Sequence, residues 1–250
     1  MTPGVQWSAG RGGKFRLRNR ARLPMLPPMK QARQFAPALA GPLLVMFGLQ
    51  AVGSAPFVFI AYHLVLCLLV PWWWSRREGL STARHAESLG LARRGLQSGL
   101  ALALVSALLP PLAWLAWPGL FPDAARLQGA LADWGLGGAA PGGYLFFLAL
   151  VNGPAEELFW RGWLLRGRAA PALRSRVLLA ALFTSYHAIT IGRLAPSRTA
   201  AALMLAGTFA AALFWSWSRL RWRSVWPALL SHTGATCGYL FICARLLDRG

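Results

Sequence analysis

The sequence predicts an all-α fold, a polytopic bundle of about seven transmembrane helices (seven or eight), and three observations predict it. Hydrophobic residues make up 56% of the 250 and charged ones 13%, and the mean hydropathy is positive. A water-soluble domain of that composition would lack the polar residues to cover its surface. Apolar runs of roughly 20 residues, the length a helix needs to cross a bilayer, recur along the chain. The 26 Lys and Arg punctuate these runs instead of forming a patch on a polar domain, so the net charge of +19 does not point to nucleic acid as a partner. Placed this way they mark cytosolic loops and meet the anionic headgroups of membrane lipids.

The elements follow in order. Residues 1–33 hold eight Lys or Arg, several Gly and Pro and no helical period, and are expected to form a disordered basic cytosolic tail. Residues 34–250 form the transmembrane helical domain. Its candidate spans run over 36–53, 55–74, 98–117, 143–164, 176–192, 199–218 and 224–246, the first two joined by a tight turn at Gly53 and Ser54. Residues 118–142, with Pro122, Asp123, Asp133 and several Gly, read as the main external loop. With the N-terminus in the cytosol, 21 Lys and Arg fall inside and five outside, which supports an odd number of spans in that orientation. The chain is therefore expected in a membrane as a multi-pass protein, a bacterial inner membrane being the expected location. Cys67, Cys237 and Cys243 lie in apolar runs without metal-ligand spacing and read as small core residues. Trp72 to Trp74, Trp215 and Trp217 read as interfacial belt residues.

The fourth, fifth and seventh spans carry polar residues. Glu156 and Glu157, two of only seven acidic residues, stand together in the apolar run 144–161. An ionisable group costs roughly 2.5–3.5 kcal/mol to insert, so each requires a partner, a cavity or a function. Arg161 lies four residues after Glu157 on the same helical face and can pair with it. Glu156 points about 100° away and must find partners on other spans. His187 and His232 lie at matching depth, roughly 10–16 Å from the cytosolic ends of their spans. His63, with no acidic neighbour, reads as a packing residue, and His85 falls in a loop. One carboxylate and two imidazoles in a membrane cavity can activate water, return a proton to a leaving amine and donate to an oxyanion, which is amide hydrolysis without a cofactor. The same three residues, Glu156, His187 and His232, would also suit catalytic zinc, although no HExxH sequence forces that reading. A proton relay or transporter gate would use the same residue types.

These residues carry a resemblance. Glu156-Glu157-Leu-Phe-Trp-Arg161, Phe183-Thr-Ser-Tyr-His187 and His232 after Trp226-Pro227 resemble the EExxxR, FxxxH and Hxxx(N/D) motifs of the CPBP family, the CAAX prenyl endopeptidases and their bacterial Abi-type relatives. The resemblance covers residues 143–240, the catalytic core. It implies an intramembrane endopeptidase in which Glu156 activates water with His187 and His232 helps hold the oxyanion. Glu157 and Arg161 would organise the site. The implied partner is a membrane-tethered or lipidated protein or peptide substrate. Where the family pattern has Asn or Asp, this chain has Thr236, whose hydroxyl can still donate one hydrogen bond. Asn152, one turn before Glu156, is a candidate source of an amide. The departure keeps open a weak or inactive protein of the same fold, serving as a bacteriocin self-immunity protein or scaffold. The basic tail and Arg-rich loops suit a site opening toward the cytosol.

Overall fold

The computed structural model describes residues 31–137, 141–166 and 172–248, and the side chains of these except 31–35 and 141–142. Among them there are helices, turns and no strands. Helix α1 runs over Gln31–Met46 and continues as a π-helical turn, Phe47–Ala51. The expected tail therefore gives way to helix at Gln31, and residues 1–30 lie outside the described part. Helix α2 is Ala55–Arg77, α3 is Thr82–Leu89 and α4 is Leu96–Ala116. A 3₁₀ turn, Pro118–Leu120, leads to α5, Ala124–Asp133. Helix α6 covers 141–163, in which π-helical segments Leu148–Asn152 and Leu158–Trp163 flank a short α-helical piece, Gly153–Glu157. Helices α7, α8 and α9 are Leu173–Leu194, Arg198–Trp222 and Trp226–Leu247.

Each of the seven expected spans coincides with a helix. Four of them, α2, α4, α7 and α8, are long and apolar enough to cross a membrane, and the apolar part of α1, Ala36–Ala51, is shorter. Helices α6 and α9 fall outside that set because polar side chains dilute their apolar residues. Two expected loops contain helices. The external segment 118–142 includes α5, started by Asp123, whose side chain accepts a hydrogen bond from the Arg126 backbone N–H at 2.7 Å. His85 lies not in a loop but in α3, capped by Ser81. There burial, then the charge of Arg166, pushes the imidazole pKa down.

Packing fixes the register of α6 and α9. Leu100, Leu104, Leu108, Leu112 and Leu115 of α4 are exposed, an apolar outer face suited to acyl chains. On its other face α4 lies so close to α9 that a Cβ on Gly234 or Gly238 would run into the backbone of Ala103 or Ala107. Small residues at such crossings let two backbones approach and pack without a hydrophobic driving force. Gly153 does the same between α6 and α9, since a Cβ there would stand 3.0 Å from Thr233 Oγ1 and 3.1 Å from its backbone N. The main core joins α1, α2, α6, α7, α8 and α9 around Phe159, Trp160, Trp163 and Phe183. A second cluster at one end of the bundle packs α5 against the start of α2 and the ends of α7 and α9.

Candidate active site

The two glutamates are almost completely buried at the centre of the bundle. Glu157 accepts a hydrogen bond from Arg161 Nη1 at 2.8 Å, the intrahelical pair expected from their spacing. Arg161 also donates to the carbonyl oxygen of Ala212 at 3.2 Å, and its guanidinium lies over the rings of Phe183 and Trp215. Glu157 has a second partner, His232, whose Nδ1 stands 3.0 Å from Oε1. Because Arg161 keeps that carboxylate an acceptor, Nδ1 of His232 carries the proton and donates. The ring is further held by stacking on Trp215 at 4.3 Å and 17°. Trp215 is buried and supports the site, and is not an interfacial belt residue; its Nε1 donates to Ser231 at 3.2 Å. Trp72, Trp73 and Trp217 are exposed, whereas Trp74 is half-buried against Trp163 and donates to Glu78, so it is not a belt residue either.

Glu156 faces the other way, as the helical angle predicts. Its Oε1 is 3.5 Å from Nε2 of His63 and its Oε2 is 3.8 Å from Nε2 of His232. Oε2 accepts no hydrogen bond from the described residues. His63 thus lines the cavity beside Glu156, contrary to the expectation that it has no acidic neighbour. Its Nε2 is also 2.6 Å from Oδ1 of Asn152, so an N–H there donates to the amide oxygen while pointing near the carboxylate. Asn152 is in place one turn before Glu156, yet its oxygen serves His63. The signal that would have found His63 was its membrane depth alone, since its partner lies 89 residues away in sequence.

His187 is brought to the same cavity but not to Glu156 itself. Its Nδ1 bonds the carbonyl oxygen of Phe183 at 2.9 Å on its own helix, and among the described residues it forms no ion pair with either glutamate. A carbonyl only accepts, so Nδ1 carries the proton and Nε2 offers a lone pair. Thr236 lines the cavity one turn beyond His232. The cavity holds about 650 Å³, is lined largely by apolar side chains, and has Glu156, His63, His187, His232, Asn152 and Thr236 in its wall. Glu157 and Arg161 lie behind that wall. Among the described residues no group of three or more His, Cys, Asp or Glu stands in an array that could hold a metal ion.

Both histidine orientations come from helix geometry. The i to i−4 spacing puts the Phe183 carbonyl under the His187 ring. The close crossing at Gly153 brings α6 within reach of His232. The π-helical segments on either side of Gly153–Glu157 widen α6 where the two glutamates diverge, and His63 sits in a π-helical stretch of α2, Phe59–Leu69. Such widened turns recur at functional sites.

No curated protein and no solved structure matches the chain significantly. One family does. Residues 139–237, which carry Glu156, Glu157, Arg161, His187, His232 and Thr236 but not His63, match the family model described as Type II CAAX prenyl endopeptidase Rce1-like, in agreement with the resemblance carried by their motifs.

Proposed function

We propose that the chain is an intramembrane endopeptidase that hydrolyses a peptide bond of a membrane-associated or lipidated protein or peptide, with Glu156 as general base. The observation that carries this reading is the contrast between the two glutamates. Glu157 is paired with Arg161 and does not line the cavity, whereas Glu156 has no Arg or Lys partner among the described residues and stands in the cavity wall.

Glu156 Oε2 takes a proton from a water in the cavity, and the water oxygen adds to the substrate carbonyl carbon. Nε2 of His187 accepts the second hydrogen bond of that water and orients it. The carbonyl oxygen gains the negative charge and is held by His232 Nε2–H and the Thr236 hydroxyl. Since Nδ1 of His232 is committed to Glu157, donation from Nε2 requires the imidazolium. That cation balances the charges of the buried cluster, two carboxylates against Arg161 and His232, as a low-dielectric site demands. Collapse of the adduct breaks the C–N bond, and the proton held by Glu156 passes to the leaving nitrogen. His63, donating toward Asn152 and Glu156, fixes the carboxylate rotamer.

The test compares membrane-protein termini in cells carrying wild type or Glu156→Gln at equal abundance. Uncut termini accumulating only with Glu156→Gln support the assignment, and identical termini overturn it. Thr236 at the Asn/Asp position favours one second reading, a self-immunity or scaffold protein, and biological function that survives alanine at both His187 and His232 would select it.

A further inference from the structure

Asn152 stands in the cavity wall with an amide nitrogen that the proposed reaction leaves without a task. It lies on α6 four residues before Glu156 and is half-buried. Its Oδ1 is 2.6 Å from Nε2 of His63. An amide oxygen only accepts, so the ring nitrogen donates and the flip of the amide is fixed. His63 cannot follow the amide round, because it is buried against Phe59 and Tyr62 with ring centroids at 5.3 and 4.8 Å. The Nδ2–H₂ half is therefore turned away from His63, and among the described residues no group accepts from it. Neighbouring donors are spent. The hydroxyls of Thr190 and Thr208 bond carbonyl oxygens of their own helices, Trp215 Nε1 donates to Ser231, and the Tyr186 hydroxyl is buried.

The place of that amide along the bundle decides which substrate atom it meets. The cavity is lined by residues between 144 and 156 of α6 and between 232 and 243 of α9, so stepping back from Glu156 and forward from His232 leads into the same space. Asn152 lies four residues along that direction, roughly 6 Å at 1.5 Å per residue. Side chains tilt toward the start of their helix, so Asn152 leans away from Glu156, whereas Thr236 on α9 leans back toward His232. Carbonyls on one side of an extended chain recur every second residue, roughly 6.5 Å apart. A backbone whose scissile carbonyl lies between Glu156 and His232 thus brings its next carbonyl on that side to the level of Asn152. Within a largely apolar wall, that oxygen requires a donor.

We infer, resting on the peptidase reading, that Asn152 Nδ2–H donates to the substrate carbonyl two residues from the scissile one, and that His63 keeps this donor facing the chain by holding the amide oxygen. The bond sets the register in which the peptide is presented to Glu156. The carbonyl it holds is the same in the ground state and in the transition state, so the bond acts on KM and leaves kcat to the other groups.

A double-mutant cycle between Asn152→Leu and the peptide tests it. The probe is a fluorogenic peptide spanning the cut site found by comparing termini in wild type and Glu156→Gln. In one version a trans-alkene replaces the amide two residues before the scissile carbonyl, and in another the amide two residues after it. With wild type, one of the two replacements is expected to raise KM about fivefold to tenfold, the scale of one hydrogen bond, with kcat within about twofold. With Asn152→Leu the same replacement should change KM by less than about twofold. Equal sensitivity of the two proteins to both replacements is what a merely structural Asn152 predicts, and it overturns the inference. Asn152→Ala repeats the cycle where leucine disturbs folding. Peptide binding to Glu156→Gln needs no turnover and should show the same coupling. Coupled binding without cleavage by purified wild type would remove the peptidase reading and leave the donor, whereas cleavage with an uncoupled cycle would remove the donor alone.

Discussion

Gly153→Ala places one methyl group between α6 and α9, three residues before Glu156. The added carbon would stand 3.0 Å from Thr233 Oγ1, 3.1 Å from its N and 3.3 Å from its Cα, against roughly 3.5–4.0 Å for unstrained carbon contacts. Helix α6 must therefore move away by several tenths of an ångström. That movement falls on the 3.0 Å link of Glu157 to His232 and on the 3.8 Å approach of Glu156 to the same ring. Overpacking of this kind costs about 1–3 kcal/mol, offset by up to about 1 kcal/mol of helix propensity gained over glycine. The net loss of stability is then roughly 0–3 kcal/mol. A displacement approaching 1 Å can cost on the order of 10²-fold in rate. The signature is a large fall in kcat with a small fall in Tm, measured by cleavage in nanodiscs and by thermal unfolding. Gly143→Ala is the control, because a Cβ there meets nothing within 4 Å. Gly153→Ala with wild-type kcat and an unchanged Tm would refute the idea that this crossing sets the site.

Other expectations concern single side chains. His63→Ala, which releases Glu156 from its 3.5 Å neighbour, should lower kcat by about 10–10²-fold with little change in expression, as a lost positioning or acid–base group does; unchanged kcat would remove it from the site. Glu157→Gln leaves buried Arg161 without its carboxylate and should cost about 3–5 kcal/mol, read as a Tm drop or loss of folded protein. Replacing Thr236 by Val should depress kcat by about 10²-fold, in the range seen when one oxyanion donor is removed, while Thr236→Asn should keep activity at or above wild type. Cleavage is expected to withstand a metal chelator; loss that zinc restores would replace the metal-free mechanism with a zinc-dependent one.

The helices were legible because apolar runs of bilayer length are a strong and local signal. The helices α3 and α5 were not, since eight and ten residues with charged faces read as connecting segments. The Glu157 and Arg161 pair was legible from its spacing on one helix, and Glu156 with His232 from charge and depth. The parts that escaped depend on contacts between distant spans. His63 meets Asn152 across 89 residues, and Trp215 is placed under His232 by the crossing of α8 and α9. His187 was expected at one site with Glu156, and the two do line the same cavity, with the His187 ring oriented by its own helix through Nδ1.

The arrangement of charges around α6 also bears on how the protein is made. Helix α6 leaves the ribosome with two carboxylates, each worth about 2.5–3.5 kcal/mol against insertion. Arg161 neutralises one of them within the same helix, and His63, already in the membrane, stands ready for the other. His232 arrives 75 residues after Glu157 and completes the set last. Assembly can thus proceed in chain order, with α6 tolerated early and the cluster closed only when α9 docks, so a truncated nascent chain would hold both carboxylates sheltered but without their last partner.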